Sequence, residues 1–149
     1  MIRTAARLAP LALLAACTQS PPAEPKVAAA DAWCRPTAQG ARAAGCYVTL
    51  TAATDDRLVS AESPAAARAE IHTMSMDGGI MRMSKLEDGL ALPAGEAVAL
   101  KPGAEHLMLL EPVAALDEGS TTDLTLTFEK APPVTVTAQI RSAPHGAPH

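Results

Sequence analysis

The chain has 149 residues, a formal net charge of −4, and only one Trp, one Tyr and one Phe. An acidic chain with no lysine/arginine stripe and so few aromatic rings offers little to a phosphate backbone or to stacked bases, so nucleic acid is not an expected partner. No segment approaches the roughly 20 consecutive apolar residues of a permanent membrane-spanning helix.

In chain order, Arg3 and Arg7 precede an apolar run from Leu8 to Ala16, the layout of a secretory signal peptide. The run ends in "LLAAC", which resembles the lipobox of bacterial lipoproteins. That resemblance implies that residues 1–16 are a lipoprotein signal peptide, cut away as Cys17 is lipidated. An ordinary secretory signal ending in a chance cysteine is the alternative. Thr18, not aspartate, follows the cysteine, which by the same resemblance directs the protein to the outer membrane of a Gram-negative cell, facing the periplasm. Contact with the membrane is then expected through the lipid alone.

Residues 17–30 carry prolines and alanines without apolar periodicity and read as a lipidated cysteine followed by a flexible tether. Residues 31–141 have the size of one domain. The tail, 142–149, is "SAPHGAPH" and is expected to be disordered; its His145 and His149 read first as exposed polar residues, with weak Cu(II) binding as the alternative.

The remaining cysteines, Cys34 and Cys46, are an even pair in a chain bound for an oxidising compartment, so a disulfide is expected. Such a short loop gains on the order of 3 kcal/mol, which makes the bridge a structural staple. A redox or metal-binding pair would more typically show CxxC spacing, which is absent.

The domain reads as mostly strand. "GCYVTLTA", "LTLTF" and "VTVTAQI" alternate with a period of two, and "EKAPP" breaks the last two. "RAEIHTMSM" and "IMRMSKL" flank Asp77-Gly78-Gly79, residues that accept the positive φ of a hairpin turn. "EAVALKPG" and "HLMLLEP" add two more candidates on either side of a Pro-Gly turn. Seven or eight short strands without a long amphipathic helix predict an all-β, antiparallel sandwich or barrel.

Residues two apart in a strand share a face. His72, Met74 and Met76 therefore point one way, as do Met81 with Met83 and His106 with Met108, while Ile71, Leu107 and Leu109 on the opposite faces are candidates for the core. Methionine is a common gap filler, and a single histidine in a strand is usually a surface or satisfied core residue. Here, however, the His-x-Met pattern occurs twice, as "HTM" and "HLM", on separate predicted strands. Thioether is a soft, neutral donor suited to Cu(I), whereas zinc prefers thiolate, imidazole or carboxylate. A His/Met site would depend on pH mainly through imidazole, which titrates near about 6.5 in model peptides.

These residues resemble the periplasmic copper chaperones called PCuAC. The family pattern is a His, ten residues, a Met, about twenty-one residues, then His-x-Met. His72 is followed here by ten residues and Met83, then by 22 residues and His106-Leu107-Met108. The resemblance extends through "DAWCRPT", "MDGGIMRM", "LPAGEAVALKPGAEHLMLL" and "LTLTFE", most of residues 31–130. It implies a cupredoxin-like β-sandwich and one Cu(I) ion held by His72, Met83, His106 and Met108; Met74, Met76 and Met81 are neighbours it leaves unassigned, candidate auxiliary ligands for shielding the ion or receiving it first. It further implies a carrier that passes copper to a receiving protein, such as a cytochrome c oxidase subunit or a Sco-type protein; a monomer is expected. The Cys34/Cys46 pair and the lipobox are not general features of that pattern.

Two other classes compete. A metal-free envelope binding or structural module would use the methionines for packing. An electron-transfer cupredoxin would need a cysteine thiolate beside two histidines, and no cysteine lies near "HLM". An enzyme is not expected, since GxSxG, HExxH and phosphate-loop motifs are all lacking.

Overall fold

A computed structural model describes residues 22–143. The lipobox with Cys17 and the tail histidines, His145 and His149, lie outside the described residues. Ten strands follow one another: β1 (Val27–Cys34), β2 (Ala43–Ala52), β3 (Asp56–Glu62), β4 (Ala66–Asp77), β5 (Ile80–Lys85), β6 (Leu90–Leu92), β7 (Ala97–Ala99), β8 (His106–Pro112), β9 (Thr121–Phe128) and β10 (Val134–Ile140). The described residues contain no helix long and apolar enough to cross a membrane.

The strands are hydrogen-bonded in the order β5-β4-β8-β2-β1-β10-β9-β3-β6, with β7 pairing onto β2. All pairings are antiparallel except β1 with β10, which run parallel. One cluster of buried side chains joins Leu50, Ile71, Leu107 and Leu109 from the β5-to-β2 half to Leu58, Leu92, Leu124, Leu126 and Ile140 from the other. Alternation explains the arrangement. In β9, Leu124, Leu126 and Phe128 are buried while Thr125 and Thr127 between them are partly exposed, so each strand lays one side against the shared core.

The count of ten exceeds the expected seven or eight. β6 is three residues long, too short to show a period, whereas β7 is the short paired part of the expected strand "EAVALKPG". Val27–Ala30, expected in the tether, form the first half of β1 and pair with Thr49–Ala52. An Ala-rich segment carries little of the β-branched content by which strands are recognised. β1 then breaks register between Ala30 and Trp33, where Asp31 takes a φ of 54°, and this irregularity hides the alternation.

Cys34 and Cys46 form the expected disulfide. They sit directly opposite one another in the β1–β2 ladder and are wholly buried, so the bridge fastens two core strands.

Candidate metal centre

The register of β4 with its two neighbours sets the geometry of the candidate site. His72 lies directly opposite His106 of β8 on one side and Lys85 of β5 on the other. Met108 pairs with Glu70, two residues before His72, and Met83 pairs with Met74, two residues after it. His72 is thus the centre of the proposed set. His106 is its direct cross-strand neighbour, and Met83 and Met108 are its diagonal neighbours, a separation of roughly 7–8 Å that long side chains can bridge. The two imidazoles are brought together, with ring centroids 5.8 Å apart and planes nearly perpendicular. Met83 and Met108 flank them from opposite directions along the strands, and neither shares a ladder pair with a histidine.

These residues lie on the outer side of the sheet. Ile71, Leu107 and Leu109 turn inward to the core, so His72, His106 and Met108, alternating with them, turn away from it. The histidines are nonetheless buried, at 8% and 6% exposure. The ladder of β1 and β2 continues their row with Trp33 opposite Tyr47. Trp33 and Tyr47 have ring centroids 4.5 Å apart, and Tyr47 lies 6.3 Å from His106. Both are buried but belong to no part of the main core cluster. Arg141 caps the far end, its guanidinium 4.6 Å from the Trp33 ring centre. Gly45, opposite Met108, makes room for this row: a Cβ there would lie 2.8 Å from the Tyr47 hydroxyl oxygen.

Each histidine commits one ring nitrogen. His72 Nε2 lies 2.9 Å from Glu70 Oε2, and His106 Nδ1 lies 2.9 Å from the carbonyl oxygen of Ala104. Both partners accept, so those nitrogens donate, and the lone pairs fall on His72 Nδ1 and His106 Nε2. His72 Nδ1 is buried without any hydrogen-bond partner. A buried polar atom left unpaired is costly and uncommon, and it marks a position where an absent ligand would be satisfied. A carboxylate or carbonyl holding the far nitrogen is the usual support of a metal-binding imidazole. The donor set therefore fits a soft cation. No group of three His, Cys, Asp or Glu side chains that could hold a metal occurs among the described residues; the thioethers of Met83 and Met108 are the soft donors that the register sets diagonal to His72.

Glu70 is the supporting residue the motif did not single out. Its hydrogen bond with His72 holds its carboxyl below the usual carboxylate range, against a smaller opposing effect of burial, with Lys85, His72 and Arg68 adding attraction. Alternation could have found it, because it precedes His72 by two residues on the same face. Tyr47 and the Ala104 carbonyl carry no comparable signal, being remote or main-chain.

The methionines are absent from the core. Among the described residues none of Met74, Met76, Met81, Met83 and Met108 belongs to the buried cluster or to the apolar groups packed on it. Met83 is 50% exposed. Met74, Met76 and Met81 lie on the same face as Met83, with Met76 paired to Met81.

The fold is one already represented among solved structures. The copper-bound PCuAC domain of PmoF2 superposes with a TM-score of 0.66 at 25% identity, over 81% of this chain and 97% of that one. The apo PCuAC domain of PmoF1 gives 0.65 at 27% identity over 79% and 95%. The Cu(I) form of DR1885 from Deinococcus radiodurans gives 0.60 at 25% over 85% and 83%. The expected cupredoxin-like, all-β PCuAC fold is therefore present.

Residues 27–140 match the family described as "Putative lipoprotein LpqE-like", and the chain belongs to that family. Relatives include the lipoprotein-named Lxx21020 of Leifsonia xyli subsp. xyli, 31% identical over 102 residues, covering 68% of this chain and 61% of that protein. RP573 of Rickettsia prowazekii is 32% identical over 113 residues, covering 72% and 62%. The chain thus spans about three fifths of the length of these curated relatives.

Proposed function

We propose that this protein is a lipid-anchored copper carrier of the cell envelope, a binding protein and not an enzyme. It holds one Cu(I) through His72, Met83, His106 and Met108 and passes the ion to a receiving protein. The observation that carries this reading is the unpartnered Nδ1 of buried His72, whose ring centroid lies 5.8 Å from that of His106 across the β4–β8 ladder, on the side of the sheet that the core does not use. The resemblance to copper-bound PCuAC structures supplies the identity of the ion.

The chemistry suits a carrier. Two imidazoles and two thioethers are neutral donors, so binding leaves the charge of the ion uncompensated and releases no proton from a thiol. Glu70 and the Ala104 carbonyl fix the ring orientations, while half-exposed Met83 keeps one ligand at the surface, where a second protein can displace it. The lipobox resemblance supports a carrier in the periplasm, held by lipid at the outer membrane of a Gram-negative cell. By resemblance, the copper centre of cytochrome c oxidase, reached directly or through a Sco-type protein, is the destination.

The electron-transfer alternative lacks its ligand. Both cysteines of the folded domain are joined to one another and buried in the core, so neither supplies the thiolate of a blue-copper site. The protein is expected to be colourless when loaded, and an intense blue Cu(II) form would overturn the assignment.

The decisive experiment is a Cu(I) titration against a competing chelator, using the wild type and His72→Gln, Met83→Leu, His106→Gln and Met108→Leu. Affinity should fall in all four variants, most in the histidine variants. Unchanged affinity across the set would favour the metal-free structural reading.

A further inference from the structure

Beyond the row that joins His72 to His106, the sheet loses a strand. β8 begins at His106, so from Met74 onward β4 pairs only with β5 and the two form a free ribbon. The last tie to a neighbour is the Thr73 hydroxyl, which donates to Glu105 Oε1 at 3.1 Å. The ribbon closes through Gly78-Gly79, with φ values of 58° and 81°.

Its two faces differ in chemistry. One carries Thr73, Ser75, Asp77, Arg82 and Ser84, with Ile80, 62% exposed, beside the turn and Arg82 Nε 3.2 Å from Asp77 Oδ2. The other carries Met74 opposite Met83 and Met76 opposite Met81. Met76 is 64% exposed and Met81 49%. Directly opposed residues have Cβ atoms roughly 4.5–5.5 Å apart, so four flexible thioethers occupy one small patch. Core packing does not explain them, because among the described residues none of the four belongs to the buried cluster or to the apolar groups packed on it.

We propose that Met74, Met76 and Met81 form a second, all-thioether site for a soft monovalent cation, with Met83 at the boundary between it and the histidine pair. The thioether site stands on the ribbon's own geometry; its role as the entry step for copper rests on the carrier reading above. Cu(I) is captured by the sulfurs of exposed Met76 and Met81 and partly buried Met74, and Met83 joins as a ligand. The ion moves inward as the Cu–S bonds to the first three break and bonds to His72 Nδ1, His106 Nε2 and Met108 form, with Met83 retained. Every donor exchanged is neutral, so no electron and no proton is transferred. Strength rises inward, since the exposed sulfurs are on an unsupported ribbon and the buried imidazoles are held by Glu70 and Ala104.

The test uses Ag(I), a redox-inert soft cation, with NMR of methionine ε-methyl groups and histidine rings. In His72→Gln/His106→Gln, Ag(I) should still shift the methyls of Met74, Met76 and Met81. In wild type titrated past one equivalent, the same methyls should move after the histidine rings. The triple variant Met74→Leu/Met76→Leu/Met81→Leu keeps the apolar surface and the volume. It should lose the second equivalent, retain ring shifts at the histidines, and load Cu(I) from a chelator complex several-fold more slowly.

Absence of methyl shifts both in the double-histidine variant and in wild type with excess Ag(I) would overturn the proposal. Full binding and loading by the triple leucine variant would overturn it too, and would assign the patch to apolar contact. If the hairpin methyls move and the histidine rings never do, the ribbon site stands and the histidine site fails.

Discussion

Glu70 decides which face His72 shows to a ligand. Its carboxylate accepts from Nε2 at 2.9 Å and so leaves the lone pair on Nδ1, the atom that lies buried and unpaired. Replacing Glu70 with Ala removes that acceptor, lets the ring change tautomer, and frees it to rotate. Loss of such an outer support typically costs 10–100-fold in metal affinity, and a Cu(I) competition titration of Glu70→Ala should fall in about that range. Glu70→Gln, whose side-chain oxygen can still accept, should lose less. Equal affinity of wild type and Glu70→Ala would mean that the His72 ring is positioned by packing alone. His106 is held differently, by a main-chain carbonyl, so no single side-chain change reproduces the effect there.

At the scale of elements, the Cys34–Cys46 bridge joins the two strands that carry Trp33 and Tyr47, the aromatic end of the row that reaches His106. Cys34→Ser/Cys46→Ser should lower unfolding free energy by about 3 kcal/mol in chemical denaturation. The strands should stay paired, because the surrounding ladder and core contacts are independent of the bridge. A variant as stable as wild type would show that packing alone holds this corner. The same elements show what was legible in advance. β9 and β10 announced themselves by strict alternation of Leu, Val and Thr, and the hairpin by Asp77-Gly78-Gly79, because local pattern and tertiary demand agree there. β1 and β3 did not. Ala28, Ala29 and Ala30 lack the bulk of a β-former, and β3 slips register between Leu58 and Ser60, so their inward residues fall out of phase. For the candidate site, period two placed the histidines and methionines on shared faces. It could not supply the cross-strand register that sets His72 opposite His106 and leaves Met83 and Met108 diagonal, because register depends on turns and bulges far along the chain.

The whole molecule is closed by contacts between segments distant in sequence, and Asp56 is the buried carboxylate among them. It is buried at the start of β3. Its Oδ1 accepts from the backbone N–H groups of Arg57 at 2.8 Å and Lys130 at 3.0 Å, and its Oδ2 from that of Ala131 at 2.8 Å. One carboxylate thereby fastens the β9–β10 turn onto β3. Burial, the largest single influence, pushes its pKa up, but the three N–H donors and the nearby Lys130 charge together outweigh it and hold the carboxyl below its ordinary value. A folded-state pKa below the unfolded one means that the unfolded chain takes up the proton more readily. The stabilisation is therefore fully present above the unfolded value, about 3.9, and is lost as pH falls through the lower folded value. Asp56→Ala should be less stable than wild type at neutral pH by about 1–3 kcal/mol, the cost of leaving buried donors unpaired. Following the melting temperature between pH 7 and about pH 2.5 by the fluorescence of Trp33, the chain's one tryptophan, should show the two proteins well separated above about pH 4 and converging below it. A gap that stays constant into acid would mean that Asp56 acts through shape alone and that its charge contributes nothing to holding the β9–β10 turn on β3.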